Sequence, residues 1–280
     1  MKLSVMLFPF HRLLTEGRLD AGALIHTLED QGVGALEPML GWDTAEPAKW
    51  RALRDAAVDA GLAFSCLDIG VNLVGESEAD RNQALDTVMR GVELCRDDLH
   101  CPLVLLAGSK AATGTTDAES RRVYGETLAR AVERTAGSGV TLTNEDFGVY
   151  PTFAASAEHC LEVLAVAGPA VRFTFDNGNF LLADDRPSEA YALVRPLISH
   201  VHIKDFALRP ADQQQSLTSP RGKQFKGCLI GQGEGQVRTC LALLKVDDYT
   251  GWLSLEVGGD PVAEVVRGAE VVAEAWGGRV

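Results

Sequence analysis

Four ionisable residues in the second half of the chain each follow a short apolar segment. They are Glu145 in VTLTNEDFG, Asp176 in VRFTFDNGN, His202 in ISHVHIKDF and Glu256 in WLSLEVGG. Carboxylates gathered at one point repel one another and resist burial unless a cation neutralises them. Three carboxylates with one imidazole form an oxygen-rich donor set that suits Mn²⁺ or Mg²⁺ and also admits Co²⁺ or Zn²⁺. Together the four residues predict a divalent-metal site, although each alone could be a turn or core residue.

The segment ISHVHIKDF, residues 198–206, alternates apolar and polar residues as a β-strand does. Side chains two residues apart on a strand share a face, so His200 and His202 lie on one side. We expect His202, nearer the end of the strand, to bind the metal. His200 is expected to fill a deeper core layer or to support its neighbours. Lys204 and Asp205 then mark the rim of the site.

Short apolar segments alternate with longer amphipathic ones along the whole chain. Strands are predicted at residues 2–8, 35–39, 62–70, 102–108, 140–148, 171–179, 198–206 and 252–259. Helices are predicted at residues 20–32, 47–61, 77–99, 117–136, 156–166, 187–194, 236–245 and 261–276. This order predicts an α/β fold, a single (β/α)8 TIM barrel domain over residues 1–280, with a doubly wound open sheet as the alternative. The carboxyl ends of all barrel strands meet on one face, and the four candidate ligands fall there.

Residues 207–235 have neither a helical nor a strand period. Loops of this length in a compact domain usually carry function, so the segment is a candidate lid over the barrel mouth; the alternative is a solvated insertion without a role. Arg221, Lys223 and Lys226 make it locally basic, so an anionic group could bind there.

Charge and cysteine usage limit the partners and the compartment. The 280 residues include 26 basic and 39 acidic ones, a net charge of −13. A field of that sign repels phosphate backbones and anionic lipid, which argues against nucleic acid and membranes as partners. Six scattered cysteines without a C-x-x-C motif indicate a reduced, cytoplasmic protein. The N-terminal apolar run is interrupted by Pro9, so we interpret it as a strand rather than a signal peptide.

Five short motifs, in their order and spacing, resemble the xylose isomerase-like barrel superfamily, in its sugar phosphate isomerase/epimerase branch. The motifs are NED at 144–146, FDNGN at 175–179, HVHIKD at 200–205, IGQGEG at 230–235 and WLSLEV at 252–257. The branch includes ketose 3-epimerases, hydroxypyruvate isomerases and inosose dehydratases. The resemblance implies the same four metal ligands, Glu145, Asp176, His202 and Glu256. It also implies that Glu145 and Glu256 act as acid and base on opposite faces of the substrate.

The resemblance further implies contacts with a small-molecule sugar or polyol-type substrate. Family members place such contacts after strands 1 and 2, which here implies His11, Glu37 and Trp42. Asn179 stands where many sugar epimerases carry a histidine; its amide can bind a hydroxyl but cannot shuttle a proton near neutral pH. Lys204, in an HIKD ending more like that of the inosose dehydratases, could bind a substrate oxygen or polarise a leaving hydroxyl, or could form a salt bridge with Asp205 or another neighbour.

The implied activity is that of a divalent-metal-dependent isomerase or epimerase of a small sugar, ketose or polyol-derived substrate. A carboxylate would remove the proton next to a carbonyl, and the metal would stabilise the enediolate. The alternative is a dehydratase of an inosose-like or dehydroshikimate-like substrate on the same site. An AP-endonuclease-like DNA repair protein is a remote reading, because such proteins use more histidines and attract phosphate. A non-catalytic sugar-binding barrel is a further reading, and the resemblance also suggests a homo-oligomer, a dimer or tetramer.

Overall fold

The computed structural model describes residues 1–210 and 217–277. Within these residues the strands are β1 (Lys2–Met6), β2 (Ala35–Glu37), β3 (Ala63–Phe64), β4 (Leu67–Gly70), β5 (Leu103–Ala107), β6 (Thr141–Glu145), β7 (Arg172–Asp176), β8 (Ile198–Ile203), β9 (Phe206–Arg209), β10 (Leu217–Thr218), β11 (Gln224–Gly227) and β12 (Trp252–Leu255). Nine of them form one parallel sheet in the order β3-β2-β1-β12-β8-β7-β6-β5-β4. The predicted barrel strands are therefore confirmed, each at most a few residues shorter than expected.

The sheet closes on itself between its two ends. An isolated parallel bridge joins Met39, just after β2, to Asp68 in β4. There Leu40 N donates to Asp68 O at 2.8 Å, and Asp68 N donates to Pro38 O at 2.9 Å. The strand predicted at 62–70 is thus two strands, because β3 pairs with β2 whereas β4 pairs with β5 and, through Asp68, with Met39. The TIM barrel prediction is confirmed, and the open sheet is excluded.

Helices cover the outside of the barrel. They are α1 (His11–Thr15), α2 (Ala21–Asp30), α3 (Trp42–Ala45), α4 (Pro47–Asp59), α5 (Glu78–Leu94), α6 (Asp117–Arg134), α7 (Ala157–Ala167), α8 (Pro187–Val194), α9 (Val237–Val246) and α10 (Pro261–Trp276). Capping side chains fix where several begin: Asp20 accepts from the N–H groups of Gly22 and Ala23, and Thr116 forms a capping box with Glu119. The helix predicted to reach residue 99 ends earlier, because its last turn, Cys95–Leu99, widens to a π-helix. No helix in the described ranges is long and apolar enough to cross a membrane.

The segment predicted to lack regular structure, residues 207–235, contains strands. Strands β9, β10 and β11 form a separate antiparallel sheet in the order β10-β11-β9. Phe206, Phe225 and Leu182 pack together beneath it. Asp184 ties it to the loop after β7, accepting from Ser219 Oγ at 2.9 Å and from the Arg221 N–H at 2.7 Å. The expectation was wrong here because strands of two to four residues are too short to show a period; residues 211–216 of the candidate lid lie outside the described residues.

Candidate metal centre and active site

Side-chain alternation on the barrel strands sorts apolar from polar residues. In β7, Phe175 packs edge-on against Tyr191 of α8, with ring centroids 5.4 Å apart. The hydroxyl of Thr174, on the opposite face, hydrogen-bonds the Thr143 hydroxyl of β6. Asp176, two residues after Thr174, shares its face. The polar residues of these strands therefore line the barrel interior, with the candidate ligands at its carboxyl end.

Three of the predicted ligands form a compact buried cluster. Glu145, Asp176 and His202 each offer a ligand atom, and these atoms lie within 4.8 Å of one another. Only Glu145 has measurable exposure, at 7%. Among the described residues, Asp176 Oδ2 and His202 Nδ1 have no hydrogen-bond partner. Buried polar atoms are rarely left unpaired, so these residues fit a divalent cation bound between them.

The turn after β7 orients Asp176. Its Oδ1 accepts from the N–H groups of Gly178 at 2.8 Å and Asn179 at 3.1 Å, which leaves Oδ2 directed into the cluster. The neighbouring Asp146 accepts from the Asp176 N–H at 3.1 Å. Burial raises the pKa of Asp176 to about 7, despite the opposing charge of Lys204. The FDNGN motif thus forms a turn whose backbone N–H groups hold Asp176, the candidate ligand, in position.

Glu256, the fourth predicted ligand, adjoins the cluster and pairs with Lys204. Its Oε2 lies 3.5 Å from His202 Nδ1, and its Oε1 accepts from Lys204 Nζ at 2.5 Å. The same ammonium lies 3.7 Å from Asp176 Oδ2 and 3.4 Å from Asn179 Oδ1. Burial opposes both charges, but their attraction holds the pKa of Glu256 well below and that of Lys204 above its ordinary value. Glu256 is therefore a carboxylate, and the salt-bridge partner of Lys204 is Glu256 rather than Asp205.

Glu37, predicted to contact substrate, contacts both histidines of β8. It is fully buried, and its two oxygens lie 2.9 Å from His200 Nε2 and 2.9 Å from His202 Nε2. Burial alone would raise its pKa, but the two histidines hold that pKa well below the usual range. Both oxygens of Glu37 are therefore engaged by the histidines. Its predicted contact with substrate stays a prediction. Asp68 lies beside Glu37 with no hydrogen bond to a described residue, and burial raises the pKa of its carboxyl well above the usual range.

The remaining predicted substrate contacts fall in two places. Asn179 is buried beside the cluster, next to Lys204. His11 and Trp42 lie on α1 and α3, after neighbouring strands β1 and β2, and their half-buried rings contact each other with centroids 4.5 Å apart. Their role in substrate binding stays a prediction.

Asp205, which was predicted to mark the rim, and Asn177, which was not singled out from the sequence, bind the loops of the rim together. The Asp205 carboxylate accepts from the N–H groups of Gly231, Gly233 and Gly235 at 2.8–2.9 Å. Asn177 Nδ2 donates to the carbonyl oxygens of Lys204 at 2.9 Å and Gly235 at 2.7 Å. A Cβ on Gly233 would lie 2.4 Å from Asp205 Oδ1, so the loop needs glycine there. The signal was the alternate glycines of IGQGEG, which allow a backbone to approach a carboxylate closely.

Comparisons with known proteins agree with this architecture. A family model described as the xylose isomerase-like TIM barrel matches residues 13–275. Among solved structures, the chain resembles the IolI protein with a bound zinc atom, with a TM-score of 0.78 and 16% identity over 100% of this chain and 99% of that one. It also resembles an L-ribulose 3-epimerase, with a TM-score of 0.74 and 15% identity over 99% and 95%. A third is the probable 3-DHS dehydratase AsbF from Bacillus anthracis, with a TM-score of 0.73 and 16% identity over 98% and 99%.

At these identities the structural likeness shows a shared fold alone. No curated protein sequence matches the chain. The family model, however, covers nearly the whole chain, from α1 to α10. The chain therefore belongs to the xylose isomerase-like TIM barrel family.

Proposed function

We propose that this chain is a divalent-metal-dependent isomerase or epimerase of a small sugar, ketose or polyol-derived substrate. The observation that carries the proposal is the buried cluster of Glu145, Asp176 and His202, in which two ligand atoms lack a hydrogen-bond partner. The zinc atom in the related IolI structure and the epimerase among the structural relatives support it. Mn²⁺ or Mg²⁺ suits the donor set best, since most of its donors are carboxylate oxygens.

Two carboxylates are arranged to move a proton. Glu145 ends β6 and Glu256 follows β12, and β7 and β8 lie between these strands in the sheet. Their carboxylate oxygens lie 3.7 and 3.5 Å from His202 Nδ1. One takes the proton next to the substrate carbonyl, and the other returns a proton on the opposite face or at the next carbon. A bound divalent cation would polarise that carbonyl and stabilise the negative charge that develops on its oxygen.

The residues around the carboxylates bind and orient the substrate in this proposal. Asn179 offers an amide for a hydroxyl group, and Lys204 keeps Glu256 ionised while presenting further N–H donors. His11 and Trp42 form a ring wall on the side of β1 and β2. The basic residues of the 207–235 segment lie on a candidate lid that excludes water. A cytoplasmic homo-oligomer remains the expected state.

A dehydratase is the second candidate, and the position of Lys204 favours it. After a carboxylate removes the proton next to the carbonyl, the Lys204 ammonium, 2.5 Å from Glu256, can protonate the departing hydroxyl so that it leaves as water. The AsbF relative, described as a probable 3-DHS dehydratase, supports this reading. The substrate would then be inosose-like or dehydroshikimate-like.

One experiment separates these activities. The Mn²⁺-loaded protein is incubated in D₂O with ketoses, inososes and dehydroshikimate-like acids, and the products are read by mass spectrometry and NMR. Deuterium incorporation without loss of water identifies the isomerase or epimerase, and loss of one water identifies the dehydratase. Glu145→Gln and Glu256→Gln should abolish either reaction. No exchange with any substrate by a protein that holds its metal would contradict the proposal and favour a non-catalytic barrel.

A further inference from the structure

One buried carboxylate connects both histidines of β8. Glu37 Oε1 lies 2.9 Å from His202 Nε2, and Glu37 Oε2 lies 2.9 Å from His200 Nε2. All three side chains have no exposed surface. Strands β1 and β12 separate β2 from β8 in the sheet, so this contact crosses the barrel interior. Solvent therefore does not reach this contact between three side chains.

The chemistry of the groups decides where the ring hydrogens lie. An ionised carboxylate only accepts hydrogen bonds, so each Nε2 facing Glu37 must carry a hydrogen. The ring atom of His202 that remains for a metal is Nδ1. That atom faces Glu145 and Glu256, at 3.7 and 3.5 Å, and makes no hydrogen bond to a described residue. The His200 contact occupies the second oxygen of Glu37 and thereby keeps the carboxylate from rotating away from His202.

We propose that Glu37 is a positioning residue, which fixes Nδ1 of His202 as the metal-binding atom, and that His200 holds Glu37 in place. The inference rests on the proposed metal site. Carboxylates that receive the second ring N–H of a metal-binding histidine orient the ring and increase its basicity, and their loss typically lowers metal affinity 10–100-fold. A buried ion pair that served stability alone would not determine which ring nitrogen carries the hydrogen.

Glu37→Gln tests the inference with little change of shape. The glutamine offers one acceptor and one donor, so it can accept from one imidazole but must donate to Nε2 of the other, which loses its hydrogen there. In the metal-free protein, imidazole-selective ¹H–¹⁵N NMR should show two slowly exchanging Nε2–H signals for the wild type and one for Glu37→Gln. When the lost signal is that of His202, calorimetric titration with Mn²⁺ should show an affinity lowered about 10–100-fold. When it is that of His200, the affinity should be retained, because the amide oxygen still accepts from His202. Asp184→Asn is the matched control, because this largely covered carboxylate binds Ser219, the Arg221 N–H and Lys223 instead of histidine, and it should retain wild-type affinity.

Different results would overturn the role of Glu37 and the proposed metal-dependent function. Two Nε2–H signals in Glu37→Gln would overturn the inference while leaving the metal enzyme intact, and so would Mn²⁺ affinity within about threefold of the wild type when the lost signal is that of His202. A wild-type protein in which His202 carries its hydrogen on Nδ1 alone would also overturn it, and that measurement needs no variant that folds. A wild-type protein that binds no Mn²⁺ would instead overturn the proposed function, and with it the metal-directed role of Glu37.

Discussion

The network around Asp205 should be a major source of stability at the rim of the site. Asp205→Ala removes the acceptor for the N–H groups of Gly231, Gly233, Gly235 and Phe206. The bonds from Gly235 and Phe206 are buried, whereas water can reach the other two donors. A buried N–H group left without a partner costs about 1–3 kcal/mol, so two of them at about 1.5 kcal/mol each lower the free energy of unfolding by about 3 kcal/mol.

Chemical denaturation followed by circular dichroism measures this loss. In thermal denaturation, the melting temperature of a chain of this size should fall by about 6–12 °C, at about 2–4 °C per kcal/mol. Asp20→Ala is the control, because Asp20 is an exposed helix cap that also accepts from two backbone N–H groups; it should lose about 1 kcal/mol. If Asp205→Ala is no less stable than Asp20→Ala, the Asp205 network contributes no more to stability than an exposed helix cap.

Three further predictions concern the packing of α6 against α7, the reactivity of the thiols, and the effect of the Lys204 ammonium on metal binding. Gly125→Ala should lower the free energy of unfolding by about 1–3 kcal/mol in urea denaturation, because its Cβ would lie 2.7 Å from the Val163 carbonyl oxygen. We expect this loss even though alanine is the better helix former. Unchanged stability would show that α6 and α7 can separate. A thiol reagent should label Cys228 first, because the five other thiols stay buried until the protein unfolds. The labelling of Cys228 should still be slow, because burial raises its pKa to about 11. Rapid labelling of several thiols in the folded protein would contradict their burial. Lys204→Met should bind Mn²⁺ at least about threefold more tightly by calorimetry, because it removes a cation that competes for Glu256; weaker binding would show that Lys204 holds the ligands in place.

The barrel could be predicted because its signals are local. The helices at 187–194 and 261–276 were predicted at their observed bounds, since each opens with a proline at its first position. The antiparallel sheet of β9, β10 and β11 could not be predicted, because its strands are short and its small core includes Leu182, which lies after β7. The split of the third barrel strand also depends on a change of neighbour that only the closed sheet provides.

The cluster could be predicted in part, because acids at strand ends meet on one face of a barrel. Glu145, Asp176 and His202 do come together as expected. The contacts of Glu37 could not be predicted, since its histidine partners lie 163 and 165 residues away along the chain. Sequence spacing locates residues on strands, but which strand end faces which across the barrel interior follows from closure and stagger of the sheet.

Anomalous diffraction at the manganese edge, from crystals soaked in Mn²⁺, would show whether the cluster binds a metal ion. We expect one strong peak, about 2.0–2.3 Å from oxygens of Glu145 and Asp176 and from Nδ1 of His202, with Glu256 as the fourth ligand. The same crystals of Asp176→Asn should show that peak much weakened or lost. A wild-type crystal with no peak between these residues, or with manganese bound elsewhere in the chain, would contradict a metal site at this cluster.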